Sequence, residues 1–395
     1  MTKLASLRIQ SMWRLGWIVP GLAVAFTIVV ILAALDRGGQ EILRSSVASP
    51  ISLRKIASIP LTSSRPAGTS VQKVAWSPDG RHLALVLGWG YEVLVLDSTT
   101  WREVSRISWQ TFQPERGIAF LSNAEVVTMP DDNEVDSPMI LAVYNSDTGQ
   151  LIREMPKPPI FARQLAFAVT STWDGQFIVT VQSSGIAGLF DGRSGRFIAP
   201  VATPPGSSTT AIEGGPAGRL ALSVGTRGGR ALTAPQKELY IVEAPSNHVS
   251  RIIRGHVPGI ASIAWSPDAK MIASGASMLQ GPGDGNWIRD SDPIRIWDVS
   301  TGKMISSFAG VYDPISRIAW HPASEILATL SAKGAGERGT AVRLWSVVQK
   351  TMLFEHTTTR AGMIRGLTFH PLTGHLIWER DGILNVFEMM QDRPS

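Results

Sequence analysis

Apolar residues along this chain come in two textures. The first is one unbroken run, residues 15–35 (LGWIVPGLAVAFTIVVILAAL), 21 residues without a charge. The second is a recurring pair of short runs around a polar turn. VQKVAWSPDGRHLALVLG from Val71 returns as IASIAWSPDAKMIASGAS from Ile260, ISRIAWHPASEILATLSA from Ile315 and IRGLTFHPLTGHLIWERD from Ile364. Weaker copies begin near Gly117, Gln164 and Thr210. Short alternating or continuous apolar runs predict antiparallel strands rather than helices. Ser77-Pro78-Asp79-Gly80 carries turn chemistry directly, because Pro fixes φ and Gly accepts φ > 0.

A second element follows each first one: YEVLVLDSTT, ILAVYNSDTG, IAGLFDGRSG, ELYIVEAPSN, IRIWDVSTGK, VRLWSVVQKT and ILNVFEMMQD. Aligned on the residue before the polar position, these give Leu96, Tyr144, Phe190, Val242, Trp297, Trp345 and Phe387, spaced 48, 46, 52, 55, 48 and 42 residues apart. Seven copies at this spacing predict an all-β, seven-bladed propeller with four strands per blade.

Ile296-Trp297-Asp298, with Gly255-His256 about 40 residues upstream, resembles the WD40-repeat family. The resemblance covers residues 53–390 and is carried by motif in blades five and six, by pattern in blades two to four. In that family a hydrogen-bonded set of His, Ser or Thr, Asp and Trp stiffens a blade. The resemblance implies this role for His256, Ser274 and Trp297, with Asp292 a candidate fourth member and Trp345 at the matching place in blade six. It also implies that an N-terminal strand completes the last blade. The chain ends soon after LNVFEM, too early for a fourth strand, while residues 53–60 form a strand-like piece that belongs to no copy. That piece is expected as the outermost strand of blade seven, leaving residues 1–45 dispensable for stability.

The charge-free run of residues 15–35 would span roughly 31 Å as a helix, enough to cross a hydrocarbon core. Trp13 and Trp17 stand where one interface would fall. The run exceeds the apolar region of a cleavable signal, so an uncleaved single-pass anchor is expected. Lys3, Arg8 and Arg14 precede it, against Arg37 and Arg44 just after it, which favours an extracytoplasmic body. The resulting organisation is a basic tail at 1–14, a transmembrane helix at 15–35, a linker at 36–52, the propeller at 53–390 and a tail at 391–395.

The pI near 9.6 does not point to nucleic acid. Seven basic and two acidic residues within residues 1–60 account for the whole net charge of +5, so residues 61–395 are neutral. A neutral body lacks the attraction to phosphate that dominates nucleic-acid affinity. With no cysteine, thiolate metal sites and cysteine nucleophiles are excluded.

No catalytic site, metal site or cofactor is expected. His321 and His370 precede Pro where other copies carry Ser77 or Ser266, and read as turn residues. The cluster Asp131, Asp132, Glu134 and Asp136 lacks the Gly and Glu spacing of a calcium loop. The Gly-rich stretch 281–285 opens no helix that could hold a phosphate.

Chain length varies most between the second and third strands, at 88–91, 130–138, 226–237, 277–293 and 333–340. Propeller topology places these loops on one face. Trp89, Tyr91, Arg227, Arg230, Trp287, Lys333 and Arg338 are therefore candidate contacts for a protein or peptide partner. The alternative is a periplasmic propeller that binds a small ligand, or carries out catalysis, in its central channel. Fold alone does not choose between them.

Overall fold

The computed structural model describes residues 33–35, 41–46, 50–63, 69–88, 91–109, 117–130, 136–226, 238–256, 259–277, 279–280, 287–288, 291–309, 313–332, 339–359 and 363–391. These form seven antiparallel blades around one axis and a separate two-stranded ribbon, with a turn of 3-10 helix at Pro159–Phe161. The inner strands are Val71–Trp76, Ile118–Phe120, Ala166–Ser171, Ser207–Gly214, Ile260–Trp265, Ile315–Trp320 and Ile364–Phe369. Each touches the next in this order, and the seventh touches the first, so the ring is closed.

Blades one to six run inner to outer in chain order. Blade seven takes its fourth strand from the other end of the chain: Ile51–Pro60 pairs with Ile383–Gln391, in register from Ile51 opposite Gln391 to Pro60 opposite Ile383. This is the closure expected from the missing fourth strand. Two details differ. The closing strand is not outermost, because Glu41–Leu43 pairs outside it and Ala33–Leu35 outside that. Residues 36–52 therefore do not serve wholly as a linker. Leu43 is buried in the blade-seven core, Lys55 Nζ lies 2.5 Å from Glu41 Oε2, and Glu355 N donates to Ser45 Oγ at 2.9 Å. The last three residues of the apolar run are strand rather than helix, because their backbone groups pair with Glu41–Leu43. Residues 15–32 lie outside the described residues, and among those described no helix is long and apolar enough to cross a membrane.

The seams between blades repeat a single device. A residue in or after one blade's outer strand shares a core cluster with the aligned third-strand residue of the next blade. The rings of Trp109 and Tyr144 meet edge to face, and those of Phe308 and Trp345 are 5.0 Å apart. Phe161 shares a cluster with Phe190, Val201 with Val242, Ile253 with Trp297, Phe354 with Phe387, and Leu61, after the closing strand, with Leu96. All fourteen are buried. Taking such a side chain out of water is worth roughly 1.5–3 kcal/mol, so each seam carries a sizeable apolar term.

The turns on one face are self-capped. Ser77 Oγ donates to Asp79 Oδ1 at 2.7 Å and accepts from His82 N at 2.9 Å. Thr172 with Asp174, and Ser266 with Asp268, do the same. His370 Nδ1 accepts from Leu372 N at 3.1 Å and His321 Nδ1 from Ala323 N at 3.2 Å, which makes both histidines turn caps as expected. Between third and outer strands, the carboxylates of Asp97, Asp191 and Asp298 and the amide of Asn145 accept from the residues that follow them.

Candidate interaction face and central channel

Blade five contains the expected polar core. His256 Nε2 lies 2.6 Å from Ser274 Oγ, which also accepts from Trp297 Nε1 at 2.7 Å. A guanidinium carries only donors, so Arg295 Nη1 at 2.6 Å makes His256 Nδ1 an acceptor and places the ring proton on Nε2. Arg295 was not foreseen; Asp292 stands in the loop two residues before the third strand. Gly255 has no room for a side chain, since a Cβ there would come within 2.9 Å of the Trp297 ring. Asp298 is not part of this core. It faces solvent and accepts from Ser300 Oγ, Thr301 N and Thr301 Oγ1, which hold its carboxyl down at about 2.

Blade six keeps the tryptophan and replaces the rest. Trp345 Nε1 donates to Thr329 Oγ1 at 2.9 Å. The buried Arg343, at the place of Arg295, donates to Ser331 Oγ and Glu355 Oε1 at 2.7 Å and to Asp313 Oδ2 at 3.3 Å. A buried guanidinium needs such carboxylates, because an unpaired charge out of water is costly. Sequence reasoning missed it: an arginine within VRLW reads as the solvent side of an alternating strand.

These cores hold the feet of the loops. The second strand of blade five ends at Ala276 and that of blade six at Ala332; their third strands begin at Ile294 and Thr340. Thr340 Oγ1 lies 2.8 Å from Thr358 Oγ1 and accepts from Ile364 N at 2.9 Å, tying the foot of one loop to the next blade. Of the candidate contacts, Tyr91 is half-buried at the foot of its loop, where its carbonyl accepts from Trp109 N at 2.9 Å. Trp287 opens the short strand Trp287–Ile288, which pairs with Leu279–Gln280 as a two-stranded ribbon. Trp89, Arg227, Arg230, Lys333 and Arg338 lie outside the described residues, as do Asp131, Asp132, Glu134 and the Gly-rich stretch 281–285. Among the described residues no group of His, Asp and Glu side chains could hold a metal ion.

The channel carries charges that the sequence did not bring together. Lys73, Glu213 and Arg317 stand on the inner strands of blades one, four and six. Arg317 Nη2 donates to Gln72 O at 2.9 Å, reaching from blade six past blade seven to blade one, while its Nη1 donates to Ser316 O at 3.0 Å. Burial pushes the Glu213 carboxyl up to about 8, outweighing the opposite pull of Arg317 and Lys73. Blades one, four and six are not neighbours, so Arg317 and Lys73 act on Glu213 only because the ring is closed.

A family model described as WD domain, G-beta repeat matches residues 247–286. The match begins in the outer strand of blade four, His248–Arg254, and continues through the inner and second strands of blade five. The sequence repeat is thus offset by one strand from the blade. This offset is the same arrangement that leaves the last blade to be completed from the N-terminal side. With seven closed blades and this repeat, the chain is a WD40-like β-propeller.

Proposed function

We propose that this protein is a non-enzymatic scaffold that is tethered to a membrane by residues 15–32, the apolar run before the strand Ala33–Leu35, and captures a protein or peptide partner on an extracytoplasmic, loop-rich face. The observation that carries the reading is the contrast between the two sets of connections. On one face the turns are short and satisfy their own polar groups. On the other, chain length between second and third strands varies most, and in blades five and six the strand ends there are fixed by buried polar cores, so binding residues can vary without cost to the ring. The apolar run and the basic excess before it support the anchor and its orientation.

The test is capture of partners by the detergent-extracted protein, with identification of what co-purifies. Alanine at Trp89, Tyr91, Arg227, Trp287 and Arg338 is expected to weaken capture by roughly 2 kcal/mol or more at anchor positions, with the melting temperature unchanged. Capture that survives all five changes and fails when the short-turn face is altered would place recognition on the short-turn face instead. Protease added to spheroplasts is expected to degrade the body; full protection would reverse the orientation. Release by carbonate washing would remove the anchor.

A further inference from the structure

Two seams on the short-turn face begin with the same contact and end differently. In blade two, Arg153 of the outer strand reaches the turn of blade three and donates to Gly192 O at 2.9 Å. Its charge is met within its own blade by Glu125 of the second strand, whose two oxygens accept from Nη1 and Nη2 at 3.1 Å. Blade four repeats the first half. Arg251 stands opposite Ile241 as Arg153 stands opposite Val143, and it donates to Ser300 O in the corresponding turn of blade five. The second half is inverted. Glu125 stands opposite Asn145, and the matching place, opposite Glu243, is held by a second arginine, Arg219.

At the short-turn end of the seam between blades four and five lies a cleft of about 370 Å³. Arg219, Glu243 and Arg251 line it from blade four, and Lys270, Asp298 and Ser300 from blade five. Both arginines are held in place. Arg219 lies over the Trp265 ring, 5.3 Å from its centre, and its Nε donates to Pro216 O at 3.3 Å. The Arg251 stem packs on Gly302, where a Cβ would stand 3.0 Å from Cδ. Among the described residues neither guanidinium forms an ion pair, and both terminal nitrogens of Arg219 and Nη1 of Arg251 keep their donors. Lys270 adds a largely exposed third cation. Of the two carboxylates in the lining, Asp298 is taken up by the donors of its own turn, which leaves Glu243 against three cations.

We propose that this cleft binds an acidic peptide, seating one Asp or Glu side chain on the guanidinium donors of Arg219 and Arg251, with Lys270 at the mouth. A planar carboxylate matches the arginine fork, and donors already fixed by protein contacts lose little freedom on binding. Glu243 offsets part of the positive charge, which suits a single carboxylate better than a doubly charged phosphate. The volume lies at the lower end of the roughly 300–1,000 Å³ usual for ligand pockets, as fits a side chain with a little of its backbone. The site is separate from the loop-rich face and goes beyond the scaffold reading.

Random hexapeptides displayed on phage are selected at pH 7 on the detergent-extracted full-length protein. Enrichment of Asp or Glu is expected. The most enriched acidic peptide, labelled with a dye, is expected to bind saturably by fluorescence anisotropy and to weaken as salt is added. R219M and R251M are each expected to weaken it by about tenfold or more, the usual scale for losing a charged hydrogen-bond partner. K270M, at an exposed side chain, is expected to weaken it less and to leave the melting temperature unchanged. E243Q is expected to tighten it, a sign that a merely structural role for these residues would not give. Should an arginine variant fail to fold, K270M and E243Q decide alone. Alanine at Tyr91 and Trp287 is expected to leave this binding unaltered, so the loop-face reading and this one can fail separately. Selection without enrichment of acidic residues overturns the proposal, as does acidic-peptide binding that folded R219M, R251M, K270M and E243Q leave unchanged.

Discussion

The carboxylate of Glu379, in the second strand of blade seven, accepts a hydrogen bond from the backbone N–H of Val71, the first residue of blade one's inner strand, at 3.2 Å. Its other oxygen accepts from Gly382 N at 2.7 Å, in the turn of its own blade. A buried acid thus sews the last blade to the first. Burial raises its titration, and the two N–H donors and Arg365 pull it back. E379A, which removes both acceptors, is expected to lower stability by roughly 1–3 kcal/mol, with E379Q intermediate because its amide keeps one carbonyl oxygen. Urea denaturation at neutral pH measures both; wild-type stability in E379A would show that the ring closes without this bond.

The polar core of blade five predicts a graded series. S274A leaves His256 Nε2 and Trp297 Nε1 without their shared partner, and is expected to cost about 1–3 kcal/mol. W297A also opens a cavity in the core cluster that holds Ile253 and is expected to cost about 3–5 kcal/mol. D298A, at an exposed turn cap, is expected to lie well below both. An order in which D298A is the most damaging would mean that the turn, not the core, limits this blade.

Truncation separates the strap, residues 41–46, from the tail before it. Removing residues 1–40 spares Leu43, Ser45 and Ser46, and the melting temperature is expected to change little. Removing residues 1–46 exposes the apolar surface under Leu43 and breaks the contacts of Glu41 with Lys55 and of Ser45 and Ser46 with Glu355. Loss of roughly 1.5–3 kcal/mol is expected from the leucine alone. Removing residues 1–60 leaves blade seven without its fourth strand and is expected to abolish cooperative unfolding. Differential scanning calorimetry of the three proteins gives the comparison.

Two groups perturbed by desolvation shape stability against pH. Glu213 titrates at about 8 in the folded chain against 4.5 unperturbed. Its contribution is therefore complete below pH 4.5 and is lost as pH rises from there to 8. His356 is pushed down to about 4, by burial and then by Arg380, against 6.5 unperturbed. That contribution is complete above pH 6.5 and is lost as pH falls toward 4. Between pH 6.5 and 8 Glu213 acts alone of the two, and stability is expected to fall with a slope of up to about 1.4 kcal/mol per unit. In E213Q this alkaline limb is expected to flatten. A limb unchanged in E213Q would assign it to another group.

Blades one, five, six and seven were legible because their turns use Ser-Pro or His-Pro at a fixed place. Blade two was faint for a physical reason: its inner strand, Ile118–Phe120, is three residues long. The aligned positions Leu96 to Phe387 were correctly singled out, yet their partners were not. Leu61, Trp109, Phe161, Val201, Ile253, Phe308 and Phe354 each lie in a seam cluster, but beyond three phenylalanines they share no residue type. The strap was misread because Ser, Arg and Gly around a three-residue strand look like a linker; its order comes from Glu355 and Lys55, far along the chain or across a turn. The channel charges were invisible for the same reason, since only closing the ring brings Lys73, Glu213 and Arg317 together.

The seam of Ile51–Pro60 with Ile383–Gln391 also sets an order in time. During synthesis the first of these strands emerges long before the second, with roughly 320 residues made in between, which at about 5–20 residues per second is on the order of 16–64 s. Throughout that wait a strand edge is open to strangers. Glu41–Leu43, made just earlier, can fold back on it at once, and Glu41 can meet Lys55 there. The strap so placed occupies one edge of the waiting strand and leaves open the edge that the end of the chain will need.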